Sequence, residues 1–251
     1  MSLMNKRTTR FLVFFLLISF VSQAQISHAI WDGLTKKYVS ATGRVNYGGF
    51  NKDEKTLDSY LALLSANPPK ADWSKEEKLA FWINAYNAFT VKLILNYQKD
   101  NIKSIKDIGS SIKIPFVNTP WDIKFIKIGG KSMDLNEIEH GIIRKQFEDA
   151  RIHFALVCAA VSCPPLRNEA FIAAKLNAQL DDQGVRFLND PTKNKVTANG
   201  ATISKLFTWY GGDFKKTKPV IDWINQYSRV KLQKNGSISY MDYIWDLNGS
   251  F

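Results

Sequence analysis

The sequence predicts an α+β fold: a helix-rich single domain around a buried central helix, with a small, mostly antiparallel sheet. Three observations lead there. The segment DWSKEEKLAFWINAYNAFTVKLILNY carries apolar residues in every helical direction, as expected of a helix enclosed on all sides. WDIKFIKIGG and NKVTANGATIS read as a strand and a hairpin closed by turn residues. Helical and extended patterns do not alternate regularly, which argues against a parallel sheet built from strand-helix-strand units.

The chain opens with an export pattern. Lys6, Arg7 and Arg10 precede the apolar run Phe11 to Val21, and Ser22-Gln23-Ala24 places small residues where a signal peptidase reads. The run is 11 residues, short of the ~20 that cross a bilayer. A signal peptide over 1–24 and one globular domain over 25–251 are therefore expected, with the product periplasmic or secreted. No cysteine near the cleavage point offers a lipid acceptor, so stable membrane insertion after cleavage is not expected.

His28 to Ser40 predicts a first helix, GRVNYGGF an extended segment with a glycine turn, and Lys55 to Ala66 a second helix. Asn67-Pro68-Pro69 breaks the chain. The central helix follows, and Ser74 and Glu77 have the spacing of a capping box. Further on, WDIKFIKI predicts a strand, Asn199-Gly200 the turn of a hairpin, VIDWINQYS a short helix and SISYMDYIWDL an extended tail. Formal charge is +11, and +8 without the three leader cations, spread as single residues. That pattern reads as a basic solvated surface, and no nucleic-acid motif accompanies it.

Polar residues in apolar surroundings mark the candidate site. Asn84 and Asn87 lie one turn apart on the central helix, and a buried amide without partners costs about 1–3 kcal/mol. They either hold a neighbouring backbone or bind substrate. On the next helix Leu135, Ile138, Ile142, Ile143 and Phe147 share one arc that includes Glu139, with His140 at its edge. Glu139 is expected to pair with a basic group or to serve as an acid. Arg144, one turn beyond His140, points outward as an anion contact or surface pair. An HExxH zinc helix is excluded because position 144 is Arg, and neither a metal nor a cofactor is implied.

Arg151 to Cys158 is apolar on both parities, the look of a strand buried on both faces. Cys158 would end it, and His153 lies within it. Ser162 and Cys163 follow in a turn before Pro164-Pro165 and a helix from about Asn168 towards Leu188. Cys163 near that helix N-terminus would be the more nucleophilic thiol. Three states of the cysteine pair stay open: a disulfide, a reactive thiol or two inert core thiols.

With WDGLTKKYV, GRVNYGGF, KLAFWINAYNAFTVKLIL, IEHGIIR, HFALVCAAVSCPPL, FLNDP and LFTWYGGDF in hand, the chain resembles the family called domain of unknown function 547, found in exported bacterial proteins and in plants. The resemblance spans about Ile30 to Phe214. Plant members look similar around Glu139, His140, Cys158 and Ser162 but carry a serine at the position of Cys163. The resemblance therefore implies that a disulfide is not the family's shared purpose, and it shifts attention to Cys158, against the helix-terminus argument.

The functional expectation is a pocket with Cys158, Cys163, His140 and Glu139 as catalytic candidates and Asn84, Asn87, Arg144, His153 and Ser162 as substrate contacts. Its sharpest form is a cysteine hydrolase or transferase acting on an amide, thioester or peptide. The alternative is a non-enzymatic module that binds a small molecule or peptide and keeps a structural cysteine pair.

Overall fold

The computed structural model describes residues 26–109 and 119–251; the expected signal peptide lies outside them. Four helical segments open the fold around one extended pair: α1 (Ala29–Tyr38), β1 (Val45–Asn46), α2 (Tyr47–Lys52), α3 (Glu54–Ala66) and α4 (Lys75–Asn96). The stretch GRVNYGGF, expected as an extended segment with a glycine turn, is a strand only at β1. The Asn46 side chain accepts from Gly49 N–H and starts α2 instead.

Helix α4 is the centre of the molecule. Every residue from Leu79 to Val91 is buried, as its all-round apolar pattern requires. Its start is fixed by the capping box: Ser74 Oγ accepts from Glu77 N at 3.0 Å, and the Glu77 carboxylate accepts from Ser74 N at 2.6 Å.

Beyond α4 come β2 (Ile126–Ile128) and β3 (Lys131–Met133), an antiparallel hairpin turned at Gly129 and Gly130. Both glycines have positive φ, +58° and +78°, the conformation such tight hairpins demand. The strand is shorter than expected because Pro120–Asp122 winds as a 3₁₀ turn. Next is a wide π-helical turn, Glu137–Ile143, running into α5 (Arg144–Phe147).

Two expectations fail in the following segment. Arg151 to Cys158 is buried but is not a strand: Ala150–Phe154 is a 3₁₀ helix and the rest is irregular. Burial without a sheet is possible because side chains replace the ladder. Asn87 Nδ2 donates to Ala155 O at 2.9 Å, Val157 N donates to Asn87 Oδ1 at 3.0 Å, and Gln183 Nε2 donates to Phe154 O at 3.0 Å. Nor does a helix begin near Asn168. Helix α6 spans Leu176–Leu188, so Cys163 has no helix N-terminus beside it and the dipole argument for its reactivity falls away.

The C-terminal third contains β4 (Lys195–Val196), β5 (Gly200–Ile203), α7 (Leu206–Trp209), α8 (Gly211–Thr217), α9 (Val220–Tyr227), β6 (Ser237–Tyr240) and β7 (Gly249–Ser250). The β4–β5 turn is centred one residue earlier than expected, because Thr197 N donates to Gly200 O and the Thr197 hydroxyl accepts from Gly200 N. Strand β6 joins β5 in parallel, and β7 joins β1 in parallel. The helix-rich α+β class holds, with small sheets of mixed direction.

Apolar side chains gather in two clusters. The larger surrounds α4; the smaller joins Phe154, Phe187, Phe207, Phe214, Trp223 and Tyr227. Residues 150–154 serve both, since Ile152 belongs to the first and Phe154 to the second.

Candidate functional site

Where the two clusters meet, a cleft of about 330 Å³ opens. Helix α4 contributes Tyr86, the π-helix Glu139 and His140, the 3₁₀ segment His153, the cysteine loop Cys158 and Cys163, α7 Trp209 followed by Tyr210, and the C-terminal tail Tyr243 and Trp245. Trp121 and Asp122 complete its rim.

The π-turn explains how Glu139 enters this place. A π-helix takes more residues per turn than an α-helix and is found often at functional sites. Here the Arg144 N–H reaches back five residues to Glu139 O. Ile138, Glu139 and Ile143 are thereby buried while His140 stays exposed. Glu139 is 5% exposed, in line with the arc read from sequence. Its charge is felt by the nearby phenols of Tyr86 and Tyr210, and its nearest basic neighbour is His140 Nδ1 at 3.8 Å.

A charged chain runs along one wall. Arg144 grips Asp213 of α8 with two bonds, Nε to Oδ2 at 2.6 Å and Nη2 to Oδ1 at 3.0 Å. Its Nη1 lies 3.0 Å from His140 Nδ1. Because a guanidinium only donates, Nδ1 is the acceptor and the imidazole proton sits on Nε2. Asp213 also meets His153 Nε2 at 2.8 Å, and the His153 ring stacks on Tyr210 with centroids 3.8 Å apart. Hydrogen bonds from His153 and Arg144 outweigh burial and hold the Asp213 carboxyl well below the usual carboxylate range. Burial dominates at His153 and lowers its pKa despite the Asp213 contact.

Cys158 and Cys163 are joined as a disulfide, which closes one of the three alternatives left open by the sequence in favour of a bonded pair. The loop between them holds Ala159 at φ +61°, a left-handed conformation that costs an alanine about 1–2 kcal/mol. The Tyr243 hydroxyl lies 3.2 Å from Cys158 Sγ and 3.1 Å from Cys163 Sγ. Ser162 is tied to the tail: its N–H donates to Ile244 O at 3.2 Å and its Oγ accepts from Ile244 N at 2.9 Å.

Glu139, His140, His153, Cys158 and Cys163 are thus brought together in the cleft, whereas Asn84, Asn87, Arg144 and Ser162 are not among its lining. Asn84 spends its amide on Phe171, donating to O at 2.7 Å and accepting from N at 2.9 Å. Asn87 does the same for Ala155 and Val157. His140 bonds Arg144 and the sulfurs bond Tyr243, and no direct hydrogen bond joins His140 to Cys158, Cys163 or Ser162 among the described residues. No group of three His, Cys, Asp or Glu side chains among those residues is placed to hold a metal ion.

Sequence reasoning missed the aromatic wall and Asp213. Trp209 stacks on Trp245 at 5.8 Å and lies 4.6 Å from Tyr243, and Trp121 meets Trp245 edge-on at 5.9 Å. The signal was the density of rings in WDIKF, LFTWYGGDF and the tail YIWDL. These segments are far apart in sequence and only the fold joins them.

No curated protein and no solved structure matches the chain. Residues 70–188 match the model of a family described as protein of unknown function, DUF547. That span takes in α4, the π-helix, the disulfide loop and α6, and with them Tyr86, Glu139, His140, His153, Cys158 and Cys163. Over residues 70–188, just under half of its length, the chain is similar to the DUF547 family.

Proposed function

We propose that this protein is a non-enzymatic binding module that receives a small molecule or the end of a peptide in the cleft, its cysteine pair serving as structure. The observation that carries this reading is the disulfide at the cleft wall: it consumes both candidate thiols and leaves a concave, ring-lined space with a few fixed polar groups, the usual make-up of a ligand site. An oxidising, extracytoplasmic location agrees with a disulfide and with the leader pattern. No helix among the described residues is long and apolar enough to cross a membrane.

A cysteine hydrolase or transferase is the second reading, favoured by the position of both sulfurs on the same cleft as Glu139 and His140. It requires reduction first, because a nucleophilic thiolate is needed. Thermal-shift and tryptophan-fluorescence titrations with dipeptides, sugars and small amines, on oxidised and reduced protein, separate the two. Saturable binding to the oxidised form, lost in Trp209→Ala, is expected. Turnover of a thioester or amide only after reduction would establish the enzyme instead.

A further inference from the structure

On a chain with 34 Lys+Arg against 23 Asp+Glu, the cleft lining contains, among the described residues, Glu139 and Asp122 and neither lysine nor arginine. Such a local reversal of sign in a concave site concentrates field and draws the opposite charge. We propose that the cleft takes a small organic cation, an alkylammonium or quaternary ammonium head, with its charge set against Glu139 and the faces of the surrounding rings. This rests on the binding-module reading and names the ligand class for it.

Glu139 is the centre of the argument. A carboxylate this buried is costly unless opposite charge and hydrogen bonds compensate it. The phenols of Tyr86 and Tyr210 lie within reach of its charge, and no lysine or arginine forms an ion pair with it among the described residues. Arg144 is near enough for its charge to be felt, yet its guanidinium is engaged by Asp213 and His140. After burial itself, the charge of Glu139 contributes to raising the phenols of Tyr86, Tyr210 and Tyr243 above their ordinary range.

The rings supply the second component. A cation within about 6 Å of a tryptophan or tyrosine face gains about 0.5–2 kcal/mol, and quaternary ammonium groups are held this way in aromatic cages. Rings of this cleft already accept cations from the protein itself: Lys106 Nζ lies 4.0 Å from the Trp245 ring centre and Arg144 Cζ 5.2 Å from that of Tyr210. Trp209 is 49% exposed although it packs against Tyr243 and Trp245, so a large ring surface stays available for an occupant.

The test is titration of the oxidised full chain with choline and with tetramethylammonium, followed by tryptophan fluorescence and calorimetry at constant ionic strength. The neutral isostere 3,3-dimethylbutan-1-ol and acetate are the controls. The cations are expected to bind saturably and at least about tenfold more tightly than the isostere, in keeping with the value of a desolvated cation–ring contact. Glu139→Gln should weaken them by about tenfold or more with an unchanged circular dichroism spectrum. Trp209→Ala, at a half-exposed position, should weaken them too and serves if the Glu139 variant does not fold. Equal binding of the isostere, or full cation affinity in both variants, overturns the proposal. Binding of a sugar or an acidic peptide with no response to cations removes this inference and leaves the binding module standing. Silence towards every class removes both.

Discussion

At the scale of single residues, the buried polar side chains set the strongest constraints. His28 is buried, bonds Tyr60 through Nδ1 at 2.7 Å and has an unpartnered Nε2. Burial pushes its pKa down from 6.5 to about 4. The unfolded chain therefore takes up a proton at higher pH than the folded one, so stability should decline as pH falls below 6.5 and level off below about 4. The loss attached to this one group is on the order of 3 kcal/mol. Urea denaturation across that range tests it, and His28→Gln should flatten the profile; an equally steep profile in the variant would refute the assignment. Asn87→Ala should cost about 2–5 kcal/mol, since it strands two buried backbone groups at Ala155 and Val157. A loss under about 1 kcal/mol would mean that water takes over. That Asn84, Asn87 and Glu139 are buried was legible in the sequence, because each interrupts an apolar helical face. The partners of Asn84 and Asn87 were not, because Phe171 and Ala155 come from segments whose approach no local pattern encodes.

Among the elements, the helices were the readable part and the cysteine segment the misread one. Helix α4 was legible from its capping box and its unbroken apolar surface. The two-parity apolar run before Cys158 predicts a strand where the chain forms a 3₁₀ helix and irregular backbone, because periodicity reports burial and not hydrogen bonding. Its backbone is satisfied by Asn87 and Gln183 instead. The loop it leads into is closed by the Cys158–Cys163 disulfide, and a loop this short implies about 2 kcal/mol of stabilisation. Reduction, or the double variant Cys158→Ser with Cys163→Ser, should lower the urea midpoint accordingly while the protein still folds. Free thiols titrating before reduction would contradict the bonded state. The π-turn was equally hidden, since IEHGIIR fits an α-helical arc nearly as well. The wider turn matters because it buries Glu139 while Arg144 meets Asp213.

For the whole molecule, the class was legible and the cleft only in part. Glu139, His140, His153 and both cysteines were singled out by residue type, but the rings Trp209, Tyr210, Tyr243 and Trp245 also line the cleft, and type alone left them in the background. The tail binds these parts together. Asn248 N donates to Ala159 O at 3.0 Å, Leu247 N to Lys103 O at 2.8 Å and Val161 N to Asp246 O at 2.8 Å, while β7 lies beside β1. Removing residues 241–251 should therefore abolish ligand binding and lower the melting temperature by several degrees, since a few kcal/mol of contacts go with it. A truncated protein with intact affinity for the cleft ligand would show that Tyr243 and Trp245 are dispensable. The same tail orders events during synthesis. Chains emerge from the ribosome N-terminus first and begin to fold as they appear, so α4 and the π-turn are available long before residues 243–250. Until those residues emerge, the cleft lacks a wall, β1 lacks its neighbour and Tyr243 does not cover the sulfurs. The cleft is thus completed late, and the two cysteines stay uncovered by Tyr243 from their own emergence until the tail follows.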